Sequence, residues 1–186
     1  MKIGIEPIVI NMRTLFGKPA DLSIILVDGY LDEPSCLGVP PYISPQIRYA
    51  YGALIDLGID PSRITYVTID GLRQDRSRYL DMARTADAVV VIAGATVPGR
   101  YLGGRPISTR EISQLVSMID PVPLILGGPI VLCQTDIPNV GFTCGEIAAT
   151  SLQKILGGRP EPGENNGALW AERIARFAIL GAELTT

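Results

Sequence analysis

Along this chain, continuous apolar runs of strand length alternate with segments whose apolar residues return every three or four positions. Runs of the first kind suit strands covered on both faces, and spacing of the second kind suits helices laid on them. Residues 86–93 (A-D-A-V-V-V-I-A) are the clearest strand; residues 21–27, 63–69 and 122–126 read the same way, and 139–142 form a short fifth. Between them, Ser44-Pro45 starts a helix in which Ile47, Ala50, Tyr51 and Leu54 share a face and which Gly58 stops. Residues 70–85 predict one helix with Arg73, Arg76 and Arg78 facing outward. Ser108 and Glu111 form a capping box ahead of Ile112, Leu115, Val116 and Ile119, and Thr143 with Glu146 form another ahead of a helix ending at Gly157-Gly158.

This alternation predicts an α/β domain over residues 21–158: a flavodoxin-like (Rossmann-like) three-layer αβα arrangement, with a parallel sheet ordered 2-1-3-4-5. Residues 1–20 read as an arm whose apolar patch at 3–10, broken by Pro7, suits an edge strand. Residues 159–167 are a turn-rich linker, and Trp170, Ile174, Phe177 and Ala178 line one face of a closing helix within 159–186.

Composition narrows the chemistry. The 186 residues are 47% hydrophobic and carry a net charge of −3, which supplies no basic field for nucleic acid or a membrane surface. The first 20 residues lack the continuous apolar stretch of a signal peptide, and the longest apolar run is too short to span a bilayer, so a cytoplasmic protein is expected. Three scattered cysteines, Cys36, Cys133 and Cys144, fit a reducing compartment. The chain has no histidine, which removes the commonest general base and metal ligand.

Three loops leave the carboxyl ends of successive strands, over residues 28–38, 94–106 and 127–130, and all are rich in glycine. Ligands of open α/β sheets bind at that edge. Residues 94–101 approach a P-loop, but Arg100 and Tyr101 replace its lysine and small hydroxyl, and Pro98 removes an amide. No GxGxxG follows any strand. A flavodoxin-type phosphate site is disfavoured by Asp28, Asp32 and Glu33, and a phospho-receiver lacks its aspartate where Ala93 and Gly94 stand. The three acids suit either a hard cation or local amide hydrogen bonds, and the second reading is preferred, so no metal site is assigned. Arg100 and Arg105 either pair with those acids or clamp an anionic ligand. Cys36 has no histidine to activate it, and Tyr30 and Tyr42 suit either a site mouth or packing on the sheet.

The loop motifs D-G-Y-L-D-E-P-S-C-L-G-V-P-P-Y-I-S-P, T-I-D-G-L-R, V-V-V-I-A-G-A-T-V-P-G-R-Y-L-G-G and L-G-G-P-I together resemble the amino-terminal, cobalamin-binding-like domain of a family of archaeal radical SAM proteins. The resemblance covers residues 24–158. It implies an accessory domain, not catalytic by itself, whose partner is a downstream radical SAM domain that holds S-adenosylmethionine and a 4Fe–4S cluster; the CxxxCxxC of that cluster is absent from this chain. It further implies that Asp28, Tyr30, Gly94, Thr96, Tyr101, Gly127 and Gly128 would hold cobalamin, and that Asp32, Glu33, Arg100 and Arg105 would face substrate or partner. The usual cobalamin motif, Asp-x-His-x-x-Gly, is matched at Asp28 alone, with Tyr30 at the histidine position and Glu33 at the final glycine. The resemblance thus implies an accessory domain that could bind cobalamin without a histidine ligand, the alternative being a structural or docking module without a cofactor. Self-association is left open.

Overall fold

A computed structural model describes residues 16–29, 44–94, 106–133, 137, 140–145, 148–157, 159, 163 and 166–184. Its centre is a five-stranded, all-parallel sheet in the order β2-β1-β3-β4-β5, with β1 at Ile24–Asp28, β2 at Ile64–Thr68, β3 at Ala88–Ile92, β4 at Leu124–Gly127 and β5 at Phe142–Thr143. The fold class and strand order are those the hydrophobic pattern predicts. Helices α1 (Pro45–Asp56), α2 (Ile69–Gln74), α3 (Arg76–Thr85), α4 (Thr109–Ile119), α5 (Ala148–Gly157) and α6 (Gly167–Gly181) complete it.

Alternation along each strand divides the core. Ile24, Leu26, Ala88, Val90, Ile92 and Ile125 pack on the side covered by α1 and α5. Ile25, Val27, Val89, Val91, Leu124 and Leu126 pack on the side covered by α3 and α4. Both faces of β1 and β3 are buried throughout, which is why these strands read as unbroken apolar runs.

Local chemistry sets the helix ends. The Ser44 hydroxyl accepts from the Gln46 amide at 3.3 Å, with Pro45 at the first helical position, and Gly58 (φ 91°) follows the last turn of α1. The capping box at Ser108 is complete: the Glu111 amide donates to Ser108 Oγ at 3.2 Å, and the Ser108 amide to Glu111 Oε2 at 2.9 Å. The single helix expected over 70–85 is two. Asp75 takes a non-helical conformation (φ −128°, ψ 60°) and accepts from the Arg78 amide, so it caps α3 and ends α2. A short carboxylate that competes for backbone amides breaks a helix even where the apolar spacing continues.

Other boundaries shift. A 3₁₀ turn at Pro19–Asp21 takes the start of the first predicted strand, and the fifth lies at Phe142–Thr143. Thr143 pairs with Leu126 in the sheet instead of capping α5; Glu146 lies outside the described residues, as do the apolar patch at 3–10 and most of 159–165.

Helix α6 forms an outer layer on α1. Phe177 is fully buried with Ala53 and Ala149, and burial of such a ring stabilises by roughly 1.5–3 kcal/mol. Two glycines let the backbones touch: a Cβ at Gly52 would stand 2.0 Å from the Phe177 carbonyl oxygen, and one at Gly181 would stand 2.0 Å from that of Arg48. Polar contacts fix the register. Arg48 Nη1 donates to the carbonyls of Gly181 and Leu184, each at 3.1 Å, satisfying the open end of α6. Asp56, its side chain 5% exposed, accepts from Gln153 (2.7 Å) and Arg159 (2.6 Å) and pairs with Arg176. No described helix is long and apolar enough to cross a membrane.

Candidate functional site

The order of the strands puts a topological switch between β1 and β3, because the chain moves to β2 on one side of β1 and then to β3 on the other. Crevices at such points are where open α/β sheets hold ligands or partners. The registers Asp28↔Thr68, Asp28↔Ile92 and Ile92↔Gly127 bring the carboxyl ends of four strands into one row.

Backbone hydrogen bonds stitch the roots of the three loops along that row. The Gly29 amide donates to the Ile92 carbonyl at 2.8 Å, and the Gly29 carbonyl accepts from the Ile107 amide at 3.0 Å. The first loop thus begins against the exit of the second. Ala93 joins the second to the third: its amide donates to Gly127 (2.9 Å) and its carbonyl accepts from Ile130 (3.1 Å). The convergence expected of these loops is present at their roots. Tyr30, Asp32, Glu33, Thr96, Arg100, Tyr101 and Arg105, together with Cys36 and Tyr42, lie outside the described residues.

Of the site residues the sequence singles out, Asp28, Gly94, Gly127 and Gly128 are described, and all four are buried. Asp28 is the last residue of β1, not the first of the loop, and the residue is 4% exposed. The period-two alternation turns it to the α1 side together with Tyr66 of β2, whose hydroxyl donates to Asp28 Oδ2 at 2.9 Å. A buried carboxylate needs such a donor. Tyr66 is missed by sequence reasoning, since only the β1–β2 register brings it alongside. Among the described residues, no group of three or more His, Cys, Asp or Glu side chains is placed to hold a metal ion.

The glycine pair is occupied by the chain itself. A Cβ at Gly127 would lie 2.5 Å from Ala148 Cβ and 3.2 Å from Cys144 Cβ; one at Gly128 would lie 2.6 Å from the Ala93 carbonyl oxygen. The space these residues free is filled by α5, by the residue after β5 and by the residue after β3.

Below the rim a polar latch ties α2 to α4. Arg73, expected to face outward, turns inward: Nε and Nη2 donate to Glu111 Oε1 (2.8 Å) and Oε2 (3.0 Å), Nη1 to Asp70 (3.2 Å), and Nη2 also to the Pro106 carbonyl (3.2 Å) at the exit of the second loop. Partial burial would raise the Glu111 pKa, but the bonds from Arg73 and Ser108 outweigh it and lower it from 4.5 to about 2. The fold therefore favours the ionised form. Its contribution is complete above the unfolded value of 4.5 and is lost as pH falls through about 2. Urea midpoints should drop over that window in the native chain, and Glu111→Gln should flatten the drop while lowering stability at pH 7 by about 1 kcal/mol. That figure is discounted for solvent screening of a pair one-third exposed.

Fold and rim together define a flavodoxin-like α/β domain with a loop face at its switch point. No family model matches the chain. It is 48% identical over 107 residues to an uncharacterized protein of Archaeoglobus fulgidus, and 40% identical over 105 residues to the uncharacterized protein MJ0274 of Methanocaldococcus jannaschii. Those segments are 58% and 56% of this chain but only 19% and 18% of the two archaeal proteins. The chain thus matches a small part of much longer relatives.

Proposed function

We propose that this chain serves as an accessory, non-catalytic module of a longer protein of the radical SAM kind that its loop motifs resemble. The carboxyl-edge rim is the face that meets the cluster-bearing domain or its substrate. The observation that carries this reading is the rim itself: three loops rooted side by side by backbone hydrogen bonds, over glycines already packed by the chain's own atoms. A rim so closed at its base favours docking over a buried cofactor. The relatives add that similar segments occur in proteins more than five times the matched length. S-adenosylmethionine and the 4Fe–4S cluster belong, on this reading, to the other domain.

Two measurements test the two halves. Hydroxocobalamin titrated into this chain should neither change its spectrum nor co-elute; a stoichiometric complex with an altered spectrum would replace docking by cofactor binding. The full-length Archaeoglobus fulgidus relative, purified without oxygen, should carry a 4Fe–4S cluster and cleave S-adenosylmethionine reductively. Absence of iron and of cleavage would overturn the radical SAM assignment.

A further inference from the structure

We infer that the hollow between α2, α3 and α4 is a binding site for a small amphiphilic carboxylate, a compact apolar body bearing one anionic group. This site is separate from the rim and does not rest on the accessory-domain reading. Its volume is about 150 Å³, and its apolar walls are Ile69, Leu72, Leu80, Ile107, Leu115 and Met118. A hollow of this size takes a molecule of roughly the bulk of benzene, and water lying against its aliphatic walls finds few partners there.

The charges at its edge select the ligand. Arg73, Arg76 and Glu111 all reach the hollow. Glu111 and Arg73 neutralise each other through the two bonds of the latch. Arg76 is different. Its Nη2 donates to Met118 Sδ at 3.0 Å, and a thioether is a weak acceptor that carries no charge. No ion pair joins Arg76 to an acid among the described residues. With Asp70, which also pairs with Arg73, the charges of this cluster sum to zero, but Arg76 is the guanidinium left without an acid, and the Gln114 amide lies on the same wall as a further donor. A carboxylate entering here exchanges a sulfur contact for a charge-assisted bond, while its apolar body fills space that water leaves unfavourably. A cationic ligand would meet the Arg76 guanidinium, and a neutral one would gain only the burial.

The test uses the full chain, with benzoate as probe and benzyl alcohol as its neutral counterpart, read by NMR on isoleucine, leucine and methionine methyl groups. Benzoate should produce saturable shifts confined to the methyls of Ile69, Ile107, Leu115 and Met118 and their neighbours. Arg76→Gln should weaken benzoate about fivefold and leave benzyl alcohol unchanged, the effect of one partly exposed ion pair. Leu80→Trp, which fills the hollow from a half-buried position, should abolish both. Shifts that fail to saturate or scatter over the surface would overturn the site. Equal affinity for the two probes in the native chain, or an Arg76→Gln variant that binds benzoate as before, would overturn the assignment of a carboxylate.

Discussion

Replacing Gly52 with alanine should lower the stability of the domain by about 3 kcal/mol, although alanine is the better helix former. The new Cβ would meet backbone, standing 2.0 Å from the Phe177 oxygen, 2.8 Å from its carbonyl carbon and 2.9 Å from its Cα. No rotamer relieves that contact, so α1 and α6 must move apart. Separation lifts Phe177 out of full burial, stretches the bonds from Arg48 to the end of α6 and strains the Asp56–Arg176 pair. The loss outweighs the helix-propensity gain of roughly 1 kcal/mol. Urea denaturation measures it, and amide exchange across Gly167–Gly181 should rise first, since α6 is the outermost layer. Gly167→Ala is the control: nothing lies within 4 Å of a Cβ there, so its midpoint should hold or rise slightly. An unchanged midpoint in Gly52→Ala would mean that the helices do not cross this closely.

What could be read from the sequence was what local chemistry decides. Ser108 and Glu111 form their capping box because both halves lie within one turn, and Ile112, Leu115, Val116 and Ile119 are all buried as their spacing requires. The strand runs foretell the sheet because burial on two faces leaves no polar positions. The break at Asp75 is a local miss, three residues from its partner Arg78; the others have partners distant in sequence. Arg73 looks like a solvated residue until α4 brings Glu111 to it across 38 positions. Asp56 looks like the polar end of a helix until Gln153, Arg159 and Arg176 gather around it. Gly127-Gly128 shows the limit most plainly. A missing Cβ announces a close approach and is silent about whether a ligand or the chain itself makes it.

That ambiguity has an experimental resolution at Gly128, where substitution by alanine should cost about 3 kcal/mol. Two effects add. The residue sits at φ +92°, which burdens a side-chain-bearing residue by roughly 1–2 kcal/mol, and its Cβ would stand 2.6 Å from the Ala93 oxygen and 3.1 Å from the Ala93 nitrogen. Those two atoms carry the hydrogen bonds that join the second and third loops, to Ile130 and Gly127 respectively, so the crowding acts on the seam of the rim. Asparagine tolerates positive φ better than alanine but places its Cβ identically. If the backbone contact dominates, Gly128→Asn should fall within about 1 kcal/mol of Gly128→Ala. If φ alone matters, Asn should recover most of the loss. A glycine kept open for a ligand would behave otherwise: only the φ cost would remain, asparagine would recover most of it, and alanine would also weaken the ligand. A large midpoint drop in both variants therefore marks Gly128 as a joint of the rim, and recovery of most of the loss by asparagine would leave its Cβ side open to a bound cofactor.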